Sequence, residues 1–204
     1  MQSPVSPDQL QNTPALAKPH HVCPWWLGYL LASPLRRIEC QPAKVLGPHV
    51  RPGMTVLEPG PGMGFFTLEL ARLAGSSGRV IAVDIQPRML DRLRRRAAKA
   101  GVLERLDARL AAPDSLGIAD LAGRVDFTLA FAMVHELPAA APFFREVAGA
   151  SKPGARLLFV EPAGHVTASR FDEELQAARD AGFTLVESPS VRRCHAALLE
   201  RTGV

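Results

Sequence analysis

Short, nearly continuous apolar runs alternate along the chain with stretches of helical spacing. Residues 55–58, 78–84, 105–111, 125–131 and 156–160 are the runs, and each has the length of a strand buried on both faces. Between them, residues 65–73 and 139–150 place apolar side chains three and four apart. A helix starting near Pro87 puts Leu90, Leu93 and Ala97 on one stripe. A further helix is expected over 169–181, stopped by Gly182. AMVHELP is expected to continue the fourth strand, and Lys152-Pro153-Gly154 to be a turn before the fifth. Two last strands, 183–187 and 196–200, have no room for a helix between them, so the last must run antiparallel. Strand–helix alternation predicts an α/β fold: a doubly wound, mostly parallel seven-stranded sheet with its last strand antiparallel.

The N-terminal part breaks this rhythm. Residues 1–19 are rich in Pro, Gln, Ser and Asn and offer little to bury, so a disordered tail is expected. Residues 20–50 carry both tryptophans and the single tyrosine, Trp25, Trp26 and Tyr29, and suit a helical cap or lid with a second short helix over 42–50. Residues 51–204 then form the main domain. The 204 residues suffice for one such core.

Composition narrows the partners. No apolar run reaches the roughly 18 residues of a membrane span, and the start lacks a signal peptide's pattern; a cytoplasmic protein is expected. Cys23, Cys40 and Cys194 are odd in number and widely spaced, which argues against a disulfide framework or a C-x-x-C metal site. The net charge of +4 is concentrated in RMLDRLRRRAAKAG, which fits a solvated helix face, so no nucleic-acid partner is expected.

The chemistry begins in TVLEPGPGMGFFTLEL. Glu58 closes a strand, and Gly60, Gly62 and Gly64 follow at every second position before a helix. Such a turn lets backbone approach a ligand closely. A dinucleotide fingerprint, G-x-G-x-x-G, would need a third glycine where Phe65 stands. Asp84 ends the next strand twenty residues beyond Gly64, where nucleotide-binding α/β folds hold ribose hydroxyls; it also sits where a cap for the following helix would be.

The acidic-x-G-x-G-x-G motif, Asp84, the loop after the fourth strand and the Lys-Pro-Gly turn together resemble class I, Rossmann-like S-adenosylmethionine (SAM) methyltransferases. The likeness covers about residue 45 to the C-terminus, and the small methyltransferase-domain proteins akin to ubiquinone/menaquinone and arsenite methyltransferases are the nearest in pattern. The resemblance implies SAM as cofactor and S-adenosylhomocysteine as product. It implies that Glu58, Gly60, Gly62, Gly64, Asp84, Ile85, Asp114, Ser115 and Phe131 line the cofactor site, Asp114 toward the adenine amine. The chain departs from the arsenite enzymes in its cysteine pattern, and it has Ala-Phe-Ala-Met where amino-methylating enzymes carry Asn/Asp-Pro-Pro-Tyr.

Ligands in open α/β sheets sit beyond the carboxyl ends of the strands, which draws attention to His135 and Glu136 after the fourth strand and to Glu161 and His165 after the fifth. His135 is expected as base, oriented by Glu161, with His165 beside them. Glu136, Cys23, Trp25, Trp26 and Tyr29 are expected around the acceptor, and the histidines are not expected to hold a metal. The expected function is methyl transfer to a small-molecule acceptor by a monomer or homodimer. A macromolecular acceptor, and a SAM-binding module without turnover, stand as the rivals.

Overall fold

The computed structural model describes residues 41–203. The expected disordered tail, most of the cap, and Cys23, Trp25, Trp26 and Tyr29 therefore lie outside the described residues. The described chain opens with α1 (Pro42–Leu46), followed by β1 (Thr55–Pro59), α2 (Thr67–Ala74), β2 (Arg79–Asp84), α3 (Pro87–Lys99) and β3 (Leu106–Leu110). Then come β4 (Val125–Phe131), α4 (Ala140–Ala150), β5 (Ser151–Pro162), α5 (Ala168–Asp180), β6 (Phe183–Glu187) and β7 (Cys194–Arg201). The seven strands form one sheet in the order β3-β2-β1-β4-β5-β7-β6. β7 pairs antiparallel with both β5 and β6, and the remaining pairs are parallel.

Side chains alternate across the pleat, and the sheet sorts its apolar residues accordingly. Leu57, Ile81, Leu157 and Phe159 face α4 and α5, packing on Phe143, Phe144, Val147, Phe171 and Leu175. Val56, Val80, Phe127, Leu158 and Val160 face the other way, against α1 and α2, through Leu46, Leu70 and Ala74. Both faces are covered, which explains why the central parallel strands carry near-continuous apolar runs, whereas the edge strand β3, Leu-Asp-Ala-Arg-Leu, alternates.

Two expectations fail at strand ends. AMVHELP does not continue β4. Ala132 takes a left-handed φ of 56°, and the chain then forms a 3-10 turn over Val134–Glu136. The buried Glu161 carboxylate, which accepts from backbone N–H groups of that turn, holds it off the sheet. Nor does Lys152-Pro153-Gly154 precede β5; it lies inside it. Val125 pairs with Ser151 and Phe127 with Arg156, so the extra residues bulge out of the ladder. Pro153 lacks a donor and Gly154 has φ 76°, so the segment turns locally while pairing resumes on both sides.

The third glycine of the motif has a packing role. Gly64 has φ 84°, and a Cβ there would fall 2.4 Å from Leu93 Cδ1 on α3. The guanidinium of Arg96, also on α3, donates to the Met63 carbonyl, so α3 fixes the glycine loop from outside. Gly64→Ala is accordingly expected to destabilise the protein by about 1–3 kcal/mol through overpacking and backbone strain, read as a lower urea midpoint at unchanged slope.

Candidate functional site

A cavity of about 390 Å3 opens beyond the carboxyl ends of β1, β2 and β4. Its wall includes the expected Glu58, Gly60, Gly62, Asp84, Ile85, Asp114, Ser115, Phe131 and Glu136. Gly64 is not on the wall, for the packing reason given above. The size is that of a small-molecule site, and Phe65, Phe66, Met133, Leu137 and Phe143 give it apolar surface.

The glycine loop is held in place by strand ends. Gly60 N donates to the Val83 carbonyl at 2.9 Å. Gly62 N donates to Asp84 Oδ2 at 3.3 Å, and Gln86 N to Asp84 Oδ1 at 2.8 Å. Asp84 thus ties the loop after β1 to Gln86, the residue before α3, as well as standing on the cavity wall; it does not cap the helix itself. The two oxygens offer about four acceptor positions between them, which leaves capacity beyond these backbone bonds. Gly62 has φ 53°, and a Cβ added there would meet nothing within 4 Å. Its backbone is therefore directly approachable.

The electrostatics of the wall are unusual for a basic chain. Glu58, Asp84, Asp114, Glu136 and Glu146 contribute five carboxylates, and among the described residues no Lys, Arg or His lines the cavity. Glu58 is only 3% exposed, and its Oε2 has no hydrogen-bond partner among the described residues. Burial pushes its carboxyl up to about 8, opposed by the Thr67 hydroxyl and reinforced by the charge of Asp84. Burial likewise pushes Asp84 to about 6, while its backbone N–H partners pull it down and Glu136 adds a smaller upward push. A buried acid with an oxygen left unpartnered is costly when ionised, so this wall favours a positively charged ligand.

The loop after β3 is fixed by a residue that sequence reasoning missed. Glu146, on α4, accepts from the Ser115 hydroxyl at 3.0 Å and from Leu116 N at 3.0 and 3.2 Å. It lies 31 residues beyond Ser115, and no local pattern announces such a contact. Asp114 is exposed beside it on the wall.

The three residues expected to carry catalysis come together, but beside the cavity. His135 Nδ1 is hydrogen-bonded to Glu161 Oε2, and the His135 and His165 rings meet edge to face at 5.8 Å. None of the three is among the described residues lining the cavity; from that turn, Met133 and Glu136 are. Bonding to Glu161 holds the His135 imidazole above its ordinary value, with burial opposing and the charges of Glu136 and Glu174 assisting. Glu174, on α5, was also missed. It is buried at 1% exposure and bonded by Arg170 Nε at 3.0 Å; burial holds its carboxyl above the usual range. No three His, Cys, Asp or Glu among the described residues gather so as to hold a metal ion. No described helix is long and apolar enough to cross a membrane.

Comparison with known proteins accords with this geometry. In overall structure the chain resembles a SAM-dependent methyltransferase from Aquifex aeolicus, with a TM-score of 0.77 and 24% identity over 87% of this chain and 98% of that one. In sequence it is 32% identical over 64% of its length to a ribosomal protein L11 methyltransferase of Pelotomaculum thermopropionicum, and 28% identical over 74% to an arsenite methyltransferase of Halobacterium salinarum. It spans 40% and 37% of those two relatives. A family model described as a methyltransferase domain matches residues 51–190, which takes in every strand up to β6 and the whole described cavity wall: the chain belongs to the methyltransferase domain family.

Proposed function

We propose that the protein is a SAM-dependent methyltransferase that acts on a small-molecule acceptor, with S-adenosylhomocysteine as product. The observation that carries the cofactor is Glu58, a buried carboxylate on the cavity wall with an unpartnered oxygen. SAM brings an ammonium group and a cationic sulfonium, which supply the missing positive charge. Its chemistry is a methyl group already activated for in-line displacement.

The chain's own residues then have separable tasks. Glu58 receives the ammonium group. Asp84 offers its remaining lone pairs to the ribose hydroxyls, with the loop already fixed by Gly62 N. Asp114 receives the adenine amine, with Ile85 and Phe131 as apolar surface and Ser115 held in register by Glu146. Because the reacting carbon arrives activated, alignment and exclusion of water matter most. At the acceptor end, Glu136 lines the cavity, whereas His135 is not among the described residues on the wall. We therefore assign orientation of the acceptor, or removal of its proton, to Glu136 rather than to His135. Cys23, Trp25, Trp26 and Tyr29 remain proposed acceptor contacts from the 20–50 segment.

The small-molecule reading rests on a cavity of small-ligand size with aromatic and aliphatic walls. A protein acceptor is the second reading, favoured by the 32% identity to an L11 methyltransferase. Assaying S-adenosylhomocysteine release with small-molecule pools and with ribosomal proteins separates the two. Release with neither, despite tight SAM binding, would indicate a binding module.

Two outcomes are expected. Asp84→Ala should weaken SAM at least about tenfold, since each lost charge-assisted hydrogen bond costs roughly 1.5–3 kcal/mol. Calorimetry returning wild-type affinity would remove Asp84 from the cofactor site. The second is a proton linkage. Glu58 at about 8 is mainly protonated at pH 7 in the ligand-free protein, while Asp84 at about 6 is already mainly ionised, and a bound cation favours the ionised form of Glu58. SAM binding at pH 7 should therefore release protons. Affinity should rise with pH and flatten above about 8. Calorimetry in buffers of different ionisation enthalpy measures the release directly; equal heats in all of them would contradict it.

A further inference from the structure

Glu161, at the end of β5, is fully buried. Its Oε1 accepts from Val134 N at 2.8 Å and from His135 N at 3.4 Å, while Oε2 meets His135 Nδ1. One carboxylate thus takes all three donors from two consecutive residues of the loop that leaves β4. That loop is bent at its start: Ala132 has φ 56° and donates its N–H to the Val160 carbonyl at 2.7 Å. A non-glycine residue in this conformation persists only where its surroundings hold it. The turn that follows sets Met133 and Glu136 on the cavity wall. Met133 also packs on the first glycine of the loop after β1, where a Cβ on Gly60 would lie 3.0 Å from Met133 Cβ.

We propose that Glu161 and His135 form a positioning pair. Their contact holds the 132–137 loop in the shape that completes the cofactor cavity and turns Glu136 toward the reacting end. This rests on the reading of the cavity as a SAM site. Neither residue need touch cofactor or acceptor; they act through Met133 and Glu136.

A fully buried carboxylate needs compensating charge as well as donors, and the imidazolium of His135 supplies it. The groups that face His135 are Glu161 from β5, Glu136 from its own turn, Glu174 from α5 and the His165 ring from the loop after β5. Glu174 is in turn paired with Arg170. The three acids favour the protonated ring. The folded-state value therefore lies above 6.5, and the ionic part of the contact is complete below 6.5 and lost as pH rises through the folded value. A neutral imidazole can still donate from Nδ1, so the contact weakens at alkaline pH rather than breaking.

The test is a cycle of Glu161→Gln, His135→Gln and the double variant, read as S-adenosylhomocysteine affinity at pH 6 and pH 9, with the His135 ring titration followed by NMR in each protein that retains the ring. At pH 6 each single variant is expected to weaken binding by about tenfold and the double variant by hardly more, as for two members of one contact. At pH 9 that coupling should shrink. In Glu161→Gln the His135 titration should move to lower pH. Additive losses, or wild-type affinity with an unmoved His135 titration, would overturn the pairing. If Glu161→Gln does not fold, His135→Gln decides alone: affinity equal to wild type at pH 6 overturns the proposal. Failure of the wild-type protein to bind S-adenosylhomocysteine would instead reject the SAM reading, and the ligand-free NMR titration would still judge the pair.

Discussion

Burying carboxylates at the carboxyl ends of parallel strands is the constraint on which the described structure turns. Glu58 is the last residue but one of β1, Asp84 ends β2 and Glu161 is the last but one of β5, at 3%, 8% and 0% exposure. An ionised acid in such a place must find donors or opposite charge, or give up its charge. The three meet this demand differently. Asp84 takes backbone N–H groups from both neighbouring loops. Glu161 takes two backbone N–H groups and an imidazole. Glu58 leaves one oxygen without a partner among the described residues, and it is the one whose demand a bound cation would answer.

The first two solutions also shape the cavity. Because Asp84 binds Gly62 N and Gln86 N, the loops after β1 and β2 are tied together before any ligand arrives. Because Glu161 binds the turn after β4, the opposite wall is tied as well. Preorganised polar groups need little rearrangement when charge arrives. The apolar layers on both faces of the sheet make this possible by holding β1, β2, β4 and β5 in fixed register, so that their ends converge on one side.

The glycines of the motif divide the remaining work. Gly60 and Gly64 are confined by neighbours, Met133 and Leu93. Gly62 meets nothing and stands on the cavity wall. A regular spacing in the sequence thus hides different purposes: close packing at Gly64, packing on Met133 beside the cavity at Gly60, and open access at Gly62.

Much of the fold was legible in the sequence. Buried parallel strands leave continuous apolar runs, helices leave a three-to-four spacing, and the missing helix between the last strands forced β7 to run antiparallel. The places of Glu58, Gly60, Gly62 and Asp84 on the cavity wall were legible for a related reason: a strand–turn–helix unit is written within one short stretch. The local signals misled where a distant partner overrode them. AMVHELP leaves the sheet because Glu161, 27 residues beyond Val134, draws its N–H groups away. Lys152-Pro153-Gly154 bulges within β5 because β4 pairs on both sides of it. Likewise, only the tertiary structure set Glu146 under Ser115, placed Glu174 near His135, and turned His135 to Glu161 while leaving Glu136 on the wall. The sequence alone determined the order of elements and the residues of the cavity wall contributed by β1, β2 and the glycine loop, since both follow from local periodicity and spacing. The wall contributed by the loop after β4 was decided by the tertiary structure, because hydrogen bonds between strand ends depend on distances in space that no spacing along the chain records.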